Sequence, residues 1–176
     1  MRTQAEYEQA LRRFFQEVAR AGIKNVVVDL RYNTGGNSRV ADLFMQYLPV
    51  DSYLSFGSTI RYSPEARTQR KYLQARGHVT HPPGRRSNQV LKDLVFAGNL
   101  YVLTSPQTFS SGKWFAVLLK DNGLATLVGE PTGNAPSASG DILSFNLPHS
   151  GCAFIVSHKQ FVRPSGDTTE RCVSPM

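Results

Sequence analysis

Two short apolar runs, residues 25–30 (NVVVDL) and 99–104 (NLYVLT), are each followed by a tight turn and then by an amphipathic helical pattern. Continuous Val/Leu-rich runs without polar alternation read as strands buried on both faces of a parallel sheet. After the first, the turn YNTGGN leads to Val40, Leu43, Phe44, Tyr47 and Leu48 at helical spacing, with Ser38 placed to cap them. After the second, SPQTF turns the chain into residues 110–120, where Trp114, Phe115, Val117, Leu118 and Leu119 are apolar. Strands alternating with helices predict an α/β architecture.

The remaining elements follow the same rules. Tyr7, Leu11, Phe14, Phe15 and Val18 predict an amphipathic helix over about residues 4–21, ended near Gly22. Residues 125–129 (ATLVG) predict a third strand, and residues 142–147 and 152–156, joined by PHSG, a hairpin. Residues 54–62 alternate loosely as one strand, and Pro64 suits the first turn of a polar helix. Residues 77–88 (GHVTHPPGRRSN) are expected to be an irregular loop, given their prolines and glycines.

At 176 residues, with 40% hydrophobic and 19% charged residues, the chain is expected to form a single domain over 1–176 with its own core. No run approaches the ~18 apolar residues of a membrane span, and the N-terminal helix is not a signal peptide. Cys152 and Cys172 form no metal-ligand pattern, so neither a metal nor a cofactor is expected. The net charge is +7. Seven basic residues between Arg61 and Arg86 face one acid, Glu65. No nucleic-acid motif accompanies them, and a solvated basic face is the plainer explanation.

Two turns carry the chemistry. Asn33, Thr34, Gly35 and Gly36 join a strand to a helix, and the glycine pair lets backbone N–H groups point at an anion. Alone, the pair need be no more than a sharp connection. Ser110 and Ser111 open a helix, where the positive end of the dipole favours a developing oxyanion. Alone, that serine need be no more than an N-cap.

Together the turns resemble one family. DLRYNTGGN is similar to the Asp-Leu-Arg-x-Asn-x-Gly-Gly turn of the C-terminal-processing (tail-specific) serine peptidases, peptidase family S41. The Ser110 segment resembles that family's Ser-Ala-Ser-Glu helix start. In the same order, LKDNG, TLVGEPT, LPHSG and FVRPSG resemble its later motifs. The resemblance implies a ClpP/crotonase-like spiral of ββα units with a C-terminal β-hairpin, and hydrolysis of a peptide or protein substrate. It places the nucleophile on Ser110, with Ser111 as runner-up, and the oxyanion donors on Gly35 or Gly36 and Ser111. It gives supporting positions to Asp121 and Thr132. It also implies an extracytoplasmic location.

The chain departs from this pattern at its base. Where bacterial members carry a lysine, allowing one deletion puts Asn134, and an amide accepts no proton from serine at neutral pH. Lys113 stands where the family has a glutamate, and read as unburied it stays protonated at pH 7. A branch resembling the tricorn protease and the retinoid-binding-protein repeats uses a histidine supported by a glutamate, and Glu170 lies near that glutamate's position. The branch's histidine lies upstream of the glycine turn, where this chain has none. His78, His81, His149 and His158 read as surface residues. The expectation is therefore a base from outside this chain, supplied by a missing N-terminal segment or a homo-oligomer, with little turnover by the chain alone. The family's PDZ module has no counterpart here. The competing expectation is a non-catalytic peptide- or lipid-binding module on the same fold.

Overall fold

The computed structural model describes residues 3–73 and 76–175. Helix α1 (Gln4–Arg20) starts with a capping box, in which Thr3 Oγ1 accepts from the Glu6 amide and the Glu6 carboxylate accepts from the Thr3 amide. There follow β1 (Asn25–Asp29), α2 (Arg39–Met45), β2 (Ser52–Ser55), β3 (Gly57–Tyr62) and α3 (Pro64–Arg70). Next come β4 (Gly77–His81), β5 (Gly84–Ser87), a short 3-10 turn (Lys92–Leu94), β6 (Asn99–Thr104) and α4 (Ser111–Asp121). The chain closes with β7 (Thr126–Gly129), β8 (Ala138–Asn146) and β9 (Ala153–Val162).

The fold is mixed α/β. A parallel sheet runs β1-β6-β7, an antiparallel sheet runs β4-β3-β9-β8, and β2 pairs with β5. The parallel register sets Val28 beside Val102 and Val102 beside Leu127, so the inward residues of three strands form one apolar layer. Phe15 of α1, Phe44 and Met45 of α2, and Val117 and Leu118 of α4 close over it. Phe15 stacks on Tyr47 with ring centroids 4.3 Å apart.

Four expectations are corrected. Among the described residues, cover lies on one face of the parallel sheet: Val27 and Val128 are 55% and 43% exposed on the other. An apolar run declares a preference for burial, whereas the cover is supplied by other elements. Residues 77–88 are not irregular. Pro82 and Pro83 break the segment in two, sending β4 to pair with β3 and β5 with β2. Residues 54–62 likewise divide into two strands, with Phe56 between them, and the final hairpin is longer than its apolar tips.

An aromatic row ties the antiparallel sheet to α4. Trp114 stacks on Phe56 at 3.6 Å between centroids and meets Phe161 of β9 edge-on at 5.1 Å. This contact brings the base of the β8–β9 hairpin opposite the start of α4.

Candidate active site

The two turns singled out in the sequence lie against each other, stitched by four hydrogen bonds. Ser105 Oγ donates to Arg31 O at 2.5 Å and Thr108 Oγ1 to Leu30 O at 2.8 Å. The Phe109 amide donates to Asn33 O at 3.0 Å, and Ser111 Oγ to Gly36 O at 2.8 Å. At the root of the glycine turn, exposed Asp29 is held by Arg31, whose hydrogen bonds bring its carboxyl down to about 2.

Gly35 has φ +118, and a Cβ built on it would stand 2.6 Å from Ser110 Cβ, 3.0 Å from Ser110 Oγ and 3.2 Å from the Ser111 amide nitrogen. Only glycine allows that approach with that backbone. Gly35→Ala is therefore expected to destabilise the fold by about 2 kcal/mol or more through strain and overlap. It should also displace Ser110, measured as a fall in both thermal midpoint and serine reactivity. The Gly35 amide is already engaged, donating to Asn33 Oδ1 at 3.0 Å. Those of Gly36 and Ser111 meet no acceptor among the described residues.

Ser110 adopts φ 51 and ψ −118, which side-chain-bearing residues rarely adopt. Although it stands at the N-cap position of α4, its side chain makes no capping bond. An ordinary cap would sit in the extended region and bond the next turn. The hydroxyl is instead exposed at the mouth of a cleft of about 470 Å³, which Gly36, Lys113 and Asn134 also line. Asp141 of β8 and Lys159 of β9 form its far wall.

Lys113 is the main departure from expectation. It is 3% exposed, donates from Nζ to Pro136 O at 2.8 Å and lies 5.8 Å from the Phe56 ring centroid. Burial, reinforced by the like charge of Arg163, lowers its pKa to about 8. The sequence carried a signal for this burial: Lys113 shares a helix face with Ala116 and Val117, at i+3 and i+4. Asn134 Oδ1 is also buried and has no hydrogen-bond partner. Thr132 positions that loop, donating from Oγ1 to Asn134 O and exchanging hydrogen bonds with the Val173 backbone.

Asp121 and Glu170 gather elsewhere. Asp121 ends α4, about 16 Å of helix from Ser110 at ~1.5 Å per residue. Its carboxylate takes both Nε (2.9 Å) and Nη2 (2.5 Å) of Arg163, and Glu170 takes Nη1. The structure thus brings Glu170 to Arg163 and Asp121, and it does not line the Ser110 cleft.

None of the four histidines lines the cleft either. His78, His81 and His149 are exposed. His158, expected at the surface, is buried at 6% exposure. Its Nε2 lies 3.0 Å from Tyr72 Oη, and burial lowers its pKa against the pull of Asp141. Cys152 and Cys172 are free thiols. No helix among the described residues is long and apolar enough to cross a membrane.

Comparison with known proteins agrees with the fold. Mature CPAF, complexed with lactacystin, matches with a TM-score of 0.73 at 15% identity, covering 96% of this chain and 41% of that one. A photosystem II D1 C-terminal processing protease matches at 0.66 and 20% identity, covering 98% and 39%. A Bacteroides fragilis protein described as an S41 protease matches at 0.61 and 23% identity, covering 99% and 43%. These likenesses show a shared fold, and the chain spans about two fifths of the length of those proteins. The family model for peptidase family S41 matches residues 1–175. Matched along its length by that model, the chain belongs to peptidase family S41.

Proposed function

We propose that the protein is a serine endopeptidase in which Ser110 forms an acyl-enzyme with a peptide substrate. The observation carrying this reading is the glycine turn pressed against Ser110, with the Gly36 and Ser111 amides free beside it. Ser110 Oγ attacks the carbonyl carbon, the peptide C–N bond breaks with a proton delivered to the amine, and water releases the acid. The two amides hold the oxyanion, helped by the dipole of α4. Thr132 holds the Asn134 loop at the cleft, and Asp121 with Glu170 fastens the end of β9 through Arg163. The fold is assigned to the ClpP/crotonase-like spiral of ββα units, and the compartment to the extracytoplasmic space by family analogy.

None of the four histidines lines the cleft, and the base is assigned on this reading to a histidine outside this chain, from a further segment or a second copy. The isolated chain is then slow at neutral pH. A second reading, a peptide- or lipid-binding module without catalysis, draws support from Ser110 Oγ having no hydrogen-bond partner among the described residues. A fluorophosphonate probe decides between them. Covalent mass gain located on Ser110 supports the peptidase, and absence of labelling in the full-length protein supports the binder.

A further inference from the structure

We infer that the outer end of the β8–β9 hairpin is the contact surface for a second copy of this chain, with β9 of one copy pairing antiparallel to β9 of the other. The inference stands apart from the reading of Ser110. β9 pairs with β8 from Ala153 to Phe161, but its pairing with β3 covers only Lys159 to Val162. Beyond Lys159 the hairpin is therefore two-stranded, a form that is marginal in water by itself. The Leu147 amide donates to Cys152 O, which sets the alternation of the antiparallel ladder. Ala153, Ile155 and Ser157 then turn their backbone N–H and C=O groups away from β8, to the side that β3 leaves open. On the β8 side the corresponding groups are covered by α3. The Gln69 side-chain amide accepts from the Ser144 N–H at 3.0 Å and donates to its C=O at 2.8 Å, and Arg70 donates to Ile142 O.

Charge selects the occupant of the open side. Residues 142–157 contain no Asp, Glu, Lys or Arg, in a chain whose net charge is +7. Elsewhere that charge opposes the approach of two copies, and at the hairpin end it does not. An acidic or basic partner finds no charge there to pair with. Phe154 and Val156 are exposed on one face and Ile155 on the other, and Phe145 stacks on Phe154 with ring centroids 5.3 Å apart. An exposed strand of β-branched and aromatic residues, with neither charge nor proline, is a template for a further strand. A second β9 is equally uncharged and offers the same open backbone groups, so antiparallel pairing about a two-fold axis satisfies both strands at once. Because α3 blocks the β8 side, each hairpin has one open side and pairing closes at two copies. Two such hairpin ends bury less than a standard interface, which places the dissociation constant at about micromolar or weaker.

Analytical ultracentrifugation of the chain between about 1 and 200 µM should show a monomer–dimer equilibrium. Over the same range, amide hydrogen exchange at Ile155 and Ser157 should slow by about tenfold once the concentration exceeds the dissociation constant tenfold, a readout that needs no variant. Ile155→Lys, at a position 62% exposed, should keep the wild-type thermal midpoint measured at about 1 µM and stay monomeric throughout. A wild type that remains monomeric, with exchange at Ile155 independent of concentration, overturns the inference. A dimer that survives Ile155→Lys places the contact elsewhere and overturns it too. Slowing at Ile155 that appears only on adding phosphatidylcholine vesicles gives the surface to a lipid and equally overturns the second copy. None of these readouts involves the reactivity of Ser110, so failure here leaves the proposed nucleophile untouched.

Discussion

Ser110→Ala should abolish fluorophosphonate labelling and, in the complete protein, lower kcat for peptide hydrolysis by about ten-thousand-fold or more. The neighbouring serine cannot take over, because Ser111 Oγ is committed to Gly36 O at 2.8 Å. Ser111→Ala should therefore keep the labelled site on Ser110. A companion variant separates reactivity from stability. Ser110 is held at φ 51 and ψ −118 without a capping bond, a conformation that costs a side-chain-bearing residue about 1–3 kcal/mol. Ser110→Gly removes that strain, so it should be as unreactive as the alanine variant and yet have the higher thermal midpoint. A glycine variant no more stable than the alanine variant would contradict the strained nucleophile. Labelling that persists in Ser110→Ala would move the reactive group elsewhere.

Arg163→Met should be the most destabilising change away from the cleft. The guanidinium, 5% exposed, is the shared partner of Asp121 and Glu170, and the Asp121 side chain is 3% exposed. Removing it leaves the Asp121 carboxylate buried with only the Ser165 amide as a recorded donor. Stranding one member of a buried pair costs about 3–5 kcal/mol. For a chain of this length that is about a 10 °C fall in thermal midpoint by calorimetry. Glu170→Gln, at the exposed end of the cluster, should cost about 1 kcal/mol or less. Combining Arg163→Met with Asp121→Leu should recover much of the loss, since no buried charge then remains. A single Arg163→Met variant as stable as wild type would show that the cluster does not fasten the end of β9.

The elements legible in the sequence were those whose own residues specify them. Phe15 and Val18 on α1, the β-branched β1 and the apolar face of α4 each announce their type by spacing. The glycine and serine turns were legible because each carries rare chemistry in few residues. Residues 77–88 were not, since β4 and β5 are polar and become strands only because β3 and β2 offer them edges. Lys113 was misread because a lysine's usual place is water, and only the surrounding Phe56 loop, the Pro136 segment and Arg163 bury it. The Asp141–Lys159 wall gave no signal, as its pairing depends on the hairpin's register.

The sequence by itself determined α1, β1, α2, β6, α4, β7 and the final hairpin in their order, the two turns and the family those turns resemble, because periodicity and turn chemistry act over a few neighbouring residues. The tertiary structure alone decided that Gly35 touches Ser110, that Lys113 is buried beside Asn134, and that Glu170 joins Arg163 instead of the cleft. Gly35 and Ser110 stand 75 residues apart, Lys113 and its acceptor Pro136 stand 23 apart, and Glu170 meets at Arg163 a carboxylate from Asp121, 49 residues away. Local patterning tells each residue how much it favours burial, but which distant residue it meets there is fixed only when all the elements pack at once.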